Sequence, residues 1–223
     1  MTKHYDVTAL GEVLIDFTEN GSSAQGNPMY EANPGGAPCN VLAMLQKFGH
    51  KTAFLGKVGE DIFGRRLEIV LKEAGIDTAG LCMDPTVRTT LAFVEKKADG
   101  DRDFSFYRNP GADMMLRTEE LQEQILKDTR IFHFGTLSMT DEPVRSATRH
   151  AIETAKANGA MLSFDPNIRE PLWQSMEEAK RQTAYGMEVC DVLKISDNEI
   201  RWFTGEEDFD RGVDQLWREY HIP

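Results

Sequence analysis

Cysteine is scarce in this chain and never paired: Cys39, Cys82 and Cys190 stand far apart, odd in number and outside any CxxC spacing. That excludes a disulfide framework and a thiolate zinc site, and it fits a reduced, cytoplasmic protein. Long apolar runs are missing too, because Glu12, Asp16 and Lys47 interrupt the best of them, so no membrane span is expected. The opening MTKHYDVTALGEVLIDF lacks the basic, apolar and small-residue order of a secretory signal. Basic charge is short: 25 Lys and Arg face 37 Asp and Glu, a net charge of −12 with no basic stripe. Such a surface repels phosphate backbones, so neither nucleic acid nor an anionic membrane is an expected partner. The five histidines form no HExxH-like pair, and His133 inside RIFHFG reads as packed. No GxGxxG follows the first strand-like segment. GEDIFGRR (59–66) has P-loop-like glycines without the Lys and Ser/Thr that hold phosphate and magnesium.

What is present is an alternation. At 223 residues and 40% hydrophobic, the chain can bury a proper core, and no linker or repeat divides it. YDVTALG reads as a strand. A helix follows from about Pro38 to Phe48, with Val41, Leu45 and Phe48 on one face and Gly49 at its stop. TAFLGKV is the next strand, and Asp61 caps a helix striped by Phe63, Leu67, Val70, Leu71 and Ala74. RIFHFG, MLSFD and DVLKIS are further strands, each followed by helical sequence. This order argues for a mostly parallel sheet covered by helices.

At 88–108 the pattern breaks. TTLAFVEKK and DFSFYR read as strands joined by a turn at ADGDR, with Leu91, Phe93, Phe104 and Phe106 facing one way. A lone ribbon is marginal, so it is expected to join segment 17–34 in a small sheet. That sheet covers a site or meets another subunit; an edge extension of the main sheet fits the same letters.

Several polar clusters fall at predicted strand ends, where open α/β sheets bind ligands. GEVLIDF ends its strand with Asp16, a carboxylate able to accept two hydroxyls or simply to cap a loop. In NPGGAPCN, Gly35 and Gly36 let backbone approach a ligand, and Asn40 can donate and accept toward a sugar hydroxyl. A tight loop with Pro38 in the first helical turn explains the same residues. FSFYRNPGAD offers Phe106 as an apolar wall and Arg108 as a forked donor, and SFDPNIRE places Asp165, Asn167 and Arg169 beyond a strand. KISDNEI sets Ser196 and Glu199 past the next strand, within reach of a hydrated metal.

Taken together, GGAPCNVLAMLQKFG, FLGKVGEDIFGRRL, FYRNPGAD, FDPNIRE and LKISDNEIRWFTG resemble the ribokinase/PfkB family of carbohydrate kinases, most closely its fructokinases. The resemblance runs through essentially the whole chain. It implies a ribokinase-like three-layer α/β sandwich with a mostly parallel sheet, residues 1–223 forming the amino-terminal portion of that domain. It also implies a small β lid from about 17–34 and 88–108 that serves as a homodimer contact. The implied activity is transfer of the ATP γ-phosphate, with Mg²⁺, to a sugar hydroxymethyl group. Asp16, Gly35, Gly36, Asn40, Phe106, Arg108 and Arg169 would hold the sugar. Asn167, Lys194 and Ser196 would serve the nucleotide, and Glu199 the metal.

Two departures sharpen the resemblance. Ribokinases commonly carry Lys in the GG motif and Asn opening Asn-x-x-Glu. Ala37-Pro38 and Ser196 stand there instead, which favours fructose, giving fructose 6-phosphate, over ribose. The later Gly-Ala-Gly-Asp motif, source of the catalytic base, is absent. NPGAD imitates it after a lid strand, where Asp113 reads as a helix cap, and the chain stops at REYHIP where a further strand is expected. The base is therefore expected beyond Pro223, and the chain alone is expected to be inactive. Rival readings are a kinase for another sugar or sugar acid such as 2-keto-3-deoxygluconate, a non-catalytic sugar-binding protein, and a nicotinamide-dependent oxidoreductase.

Overall fold

Residues 3–96 and 102–222 are described by the structure, a computed structural model. In chain order its elements are β1 (Tyr5–Leu10), β2 (Leu14–Ser22), β3 (Pro28–Gly35), α1 (Ala37–Lys47), β4 (Thr52–Gly59), α2 (Ile62–Glu73) and β5 (Asp77–Asp84). They continue as β6 (Leu91–Lys96), β7 (Arg102–Tyr107), α3 (Glu123–Lys127), β8 (Thr129–Gly135), α4 (Val144–Ala157) and β9 (Met161–Asp165). Last come α5 (Met176–Val189), β10 (Val192–Leu193), α6 (Asp197–Thr204) and α7 (Phe209–Tyr220).

One sheet has the order β10-β9-β8-β1-β4-β5 with every described pairing parallel. Its strands are apolar in succession because helices cover both faces. Val7, Ala9 and Phe54 pack with Cys39 and Leu42 of α1 and Leu67 and Leu71 of α2. Their neighbours Leu10, Ala53 and Leu55 point the other way, into a core shared with α3, α4 and α5. Phe134 and Phe164 stack there at 4.9 Å between ring centroids, both fully buried. The result is three layers. Asp61 caps α2, accepting from the amides of Phe63 and Gly64, so GEDIFGRR is a helix start.

Local readings needed four corrections. The first strand stops at Leu10, and Asp16 lies in β2, which belongs to a different sheet. α1 buries Pro38, Cys39 and Leu42, while Phe48 is 70% exposed, so its core face is turned away from the Val41–Leu45–Phe48 row. DVLKIS supplies only the two-residue β10. The ribbon's faces are also exchanged. Ala92 pairs with Phe106 and Val94 with Phe104, whereas Leu91 and Phe93 oppose Tyr107 and Ser105. Directly opposed residues share a face, and a one-residue slip in register swaps that face entirely.

The second sheet has the order β3-β2-β6-β7 and stands apart from the first. Asn33, Asp16, Ala92 and Phe106 form one continuous row across it. Its other face carries Phe17, Tyr30, Phe93 and Tyr107, with Phe17 and Phe93 stacked at 4.9 Å. The ADGDR turn lies, but for Arg102, outside the described residues.

Candidate active site

The carboxyl ends of β1, β8 and β9 meet the amino end of α1 beneath the second sheet. They enclose a cleft of about 240 Å³ lined by Glu12, Leu14, Asp16, Gly36, Ala37, Asn40, Phe104, Phe106, Leu137, Asn167 and Arg169. Asp16, Gly36, Asn40, Phe106, Asn167 and Arg169, far apart in sequence, are thus brought together.

The diglycine has a specific geometry. Gly36 precedes α1 with φ 120° and ψ 124°, a conformation L side chains rarely adopt. A Cβ there would overlap the carbonyl oxygen of Glu12. A Cβ on Gly35 would overlap Oδ2 of Asp16. Gly36 therefore lies at the cleft and Gly35 just behind it, each pressed on one acidic residue of the β1–β2 segment.

Glu12, read in the sequence only as a break in an apolar run, is 4% exposed and accepts a 2.8 Å hydrogen bond from the Ala37 amide. Burial pushes its carboxyl up to about 7. No motif marked it; a lone Glu between Gly11 and Val13 becomes notable only once α1 is seen docked on it. Phe104 was seen only as a ribbon residue. Its ring lies 5.3 Å from the Arg169 guanidinium carbon, a cation–π contact that holds the arginine across the cleft. Asn167 adopts φ 43°, so the loop after β9 is itself in a sparsely populated conformation.

Arg108 does not line the cleft. Its side chain is 2% exposed, with Nε and Nη2 both 2.7 Å from Oδ2 of Asp113. Its Nη1 donates to Oγ1 of Thr140 and its Nη2 to the carbonyl of Leu137. Asp113 also accepts from Oγ1 of Thr90. The cap reading for Asp113 is corrected with it: Gly111 occupies the cap position, and Asp113 is the buried partner of Arg108. Arg108 thus supports Leu137, a cleft residue, from behind.

Ser196 and Glu199 form the capping box of α6. Glu199 Oε2 accepts from Ser196 N and Oγ at 2.9 and 2.8 Å, and its Oε1 accepts from the Ile168 amide at 2.8 Å. Ile168 sits between Asn167 and Arg169, so Glu199 anchors the loop carrying both. No group of three or more potential metal ligands exists among the described residues. Both carboxylate oxygens of Glu199 are thus bonded to protein donors. Lys194 extends from the end of β10 with its ammonium 3.2 Å from both oxygens of Asp165. Burial raises the Asp165 pKa, and the Lys194 charge opposes that rise.

This arrangement of carboxylates, amides, an arginine and aromatic walls suits a polyol, whose hydroxyls both donate and accept while its C–H faces stack. Comparison with known proteins agrees. The profile of the pfkB family carbohydrate kinases matches residues 5–218. Fructokinase-1 of Zea mays is 45% identical over 215 residues, covering 95% of this chain and 67% of the relative. Probable fructokinase-2 of Arabidopsis thaliana is 45% identical over 206 residues, covering 92% of this chain and 63% of the relative. A fructokinase from Xylella fastidiosa with bound ATP superposes with TM-score 0.86 at 34% identity, over 96% of this chain and 69% of its own. A fructokinase from Vibrio cholerae with fructose, ADP and calcium bound superposes with TM-score 0.86 at 30% identity, over 98% and 69%. The chain spans roughly two thirds of the length of these relatives. From fold, cleft and these likenesses together, the chain belongs to the pfkB family of carbohydrate kinases.

Proposed function

We propose that this chain is the sugar-binding portion of a fructokinase that transfers the γ-phosphate of ATP to the hydroxymethyl group of fructose. The observation that carries the reading is the convergence of Asp16 from β2, Asn40 from α1, and Asn167 and Arg169 from the loop after β9 on one cleft. Asp16 accepts sugar hydroxyls, Asn40 pairs with them from α1, and Gly36 gives the backbone close approach. Phe104 and Phe106 pack on the sugar, and Arg169 closes the side toward β9. The second sheet acts as a lid that excludes water from the transferred phosphoryl group.

Asn167, which lines the cleft, and Lys194 and Ser196, which follow the next strand outside its lining, are assigned to the nucleotide. Mg²⁺ arrives with the nucleotide phosphates, and Glu199 acts through the loop it anchors and through ordered water. The catalytic base belongs to the part of the family fold outside these 223 residues, so the chain alone binds sugar without turning it over. The exposed Tyr30 and Tyr107 on the outer lid face support a homodimer contact there. Three unpaired cysteines, two of them buried, fit a reducing cytoplasm.

The test has two parts. Calorimetry should show one fructose bound per chain, with ribose and 2-keto-3-deoxygluconate weaker. A coupled ADP-release assay should show no turnover by the chain alone and fructose-dependent turnover once the corresponding carboxy-terminal third of the maize relative is fused to it. Preference for another sugar in both assays overturns the fructose assignment.

A further inference from the structure

α1 begins with an uncapped amino end. Gly36 occupies the cap position and offers no side chain, and Pro38 contributes no amide hydrogen. The Ala37 amide in that first turn is met from outside the helix by Glu12, 26 residues earlier than Pro38 in the sequence. The two segments are locked from both sides, since the Glu12 carbonyl is where a Gly36 Cβ would stand and Cys39 Sγ lies 3.9 Å from it. Glu12 also forms part of the cleft wall beside Gly36, Ala37 and Asn40. A nearly buried carboxylate serves here where a Ser, Thr, Asp or Asn cap would ordinarily suffice.

We propose that Glu12 is a positioning residue of the sugar site, holding the Gly36–Ala37 turn and, through it, Asn40 in register with Asp16. This rests on the sugar-site reading above. The ionised carboxylate makes a charge-assisted bond to the Ala37 amide and sits favourably at a helix start. The protonated acid makes a weaker one, but burial costs the charged form more than that difference returns, so the carboxyl is raised and the docked acid favours its proton. Groups facing Glu12 from the elements packed on it are Asp16 of β2, Cys39 of α1, Arg108 and Asp113 after β7, and Arg169 after β9. Burial carries the Glu12 carboxyl to about 7. Because the docked turn raises this carboxyl above its ordinary value of 4.5, the docked form holds the proton more tightly than the undocked one; the turn loosens as Glu12 ionises, and sugar affinity falls with rising pH across neutrality. Glu12→Gln keeps the shape and an acceptor for the amide but removes the titration; Glu12→Ala removes both.

Two measurements on the 223-residue chain decide this. Amide hydrogen exchange should find Ala37 protected in the wild type and in Glu12→Gln, and exposed in Glu12→Ala; unchanged protection in Glu12→Ala overturns the capping assignment. Fructose calorimetry between pH 6 and 8 should show wild-type affinity falling several-fold, a flat profile in Glu12→Gln, and about tenfold weaker binding than wild type at pH 6 in Glu12→Ala. A pH response in Glu12→Gln equal to wild type overturns the positioning role. Should the wild type bind no fructose while Ala37 behaves as expected, the sugar reading falls and the cap stands.

Discussion

Removing the Arg108 guanidinium breaks a deeply buried charge network. Its three nitrogens meet Asp113, Thr140 and the Leu137 carbonyl at 2.7–3.0 Å, and Arg108 and Asp113 side chains are 2% and 4% exposed. Arg108→Met leaves the Asp113 carboxylate buried with Thr90 as its remaining side-chain donor among the described residues. An orphaned buried charge of this kind costs about 3–5 kcal/mol. For a domain of this size that lowers Tm by roughly 6–20 °C. Exchanging both partners for apolar or neutral groups should recover much of the loss, so Arg108→Met with Asp113→Leu should be more stable than Arg108→Met alone. Urea unfolding of the wild type, both single variants and the double variant provides the cycle. Strict additivity, or a loss under about 1 kcal/mol for either single variant, would refute the buried-pair reasoning. Fructose affinity of Arg108→Lys, measured where it is folded, should fall less than that of Asp16→Ala, because Arg108 touches no cleft space.

Three further outcomes follow from the geometry. Gly36→Ala must fit a Cβ against the Glu12 carbonyl at φ 120°, a strain of about 1–3 kcal/mol before any clash; thermal unfolding and fructose titration should both worsen. Glu199→Ala should weaken fructose binding in metal-free buffer by freeing the Ile168 amide, a loss absent if Glu199 served only a metal. His133 is held to about 4 by burial, against an ordinary 6.5, and bonds Oγ of Ser163. A depressed pKa means its contribution is present above 6.5 and lost as pH falls toward 4, on the order of 3 kcal/mol. His133→Gln should flatten that part of the stability–pH curve, and an unchanged slope would count against it.

The parallel sheet was legible because its strands, from YDVTALG to MLSFD, are apolar runs separated by helices with ordinary stops such as Gly49 and Gly159. The cleft was legible only in part from parallel strands ending on one rim, which brings Asn167 and Arg169 beyond β9 to the amino end of α1 with Asn40; Asp16 reaches it from β2 of the second sheet. Register was not: nothing local in TTLAFVEKK and DFSFYR says whether Phe93 or Val94 opposes Phe104, and the lid's cleft face hangs on that single step. Arg108 carried no local mark of its partner, since Asp113 five residues on reads equally well as a cap. Glu12 escaped because its role exists only when α1 docks against the end of β1.

The central claim is that fructose sits in the cleft between the second sheet and the strand ends. A crystal structure of the chain grown with fructose measures this directly. It should place sugar hydroxyls within about 3.2 Å of Asp16 and Asn40, with Arg169 and Phe106 against the ring. Fructose bound elsewhere, for example in the hollow lined by Asp6, His50 and Arg130 at the opposite end of the sheet, would contradict it.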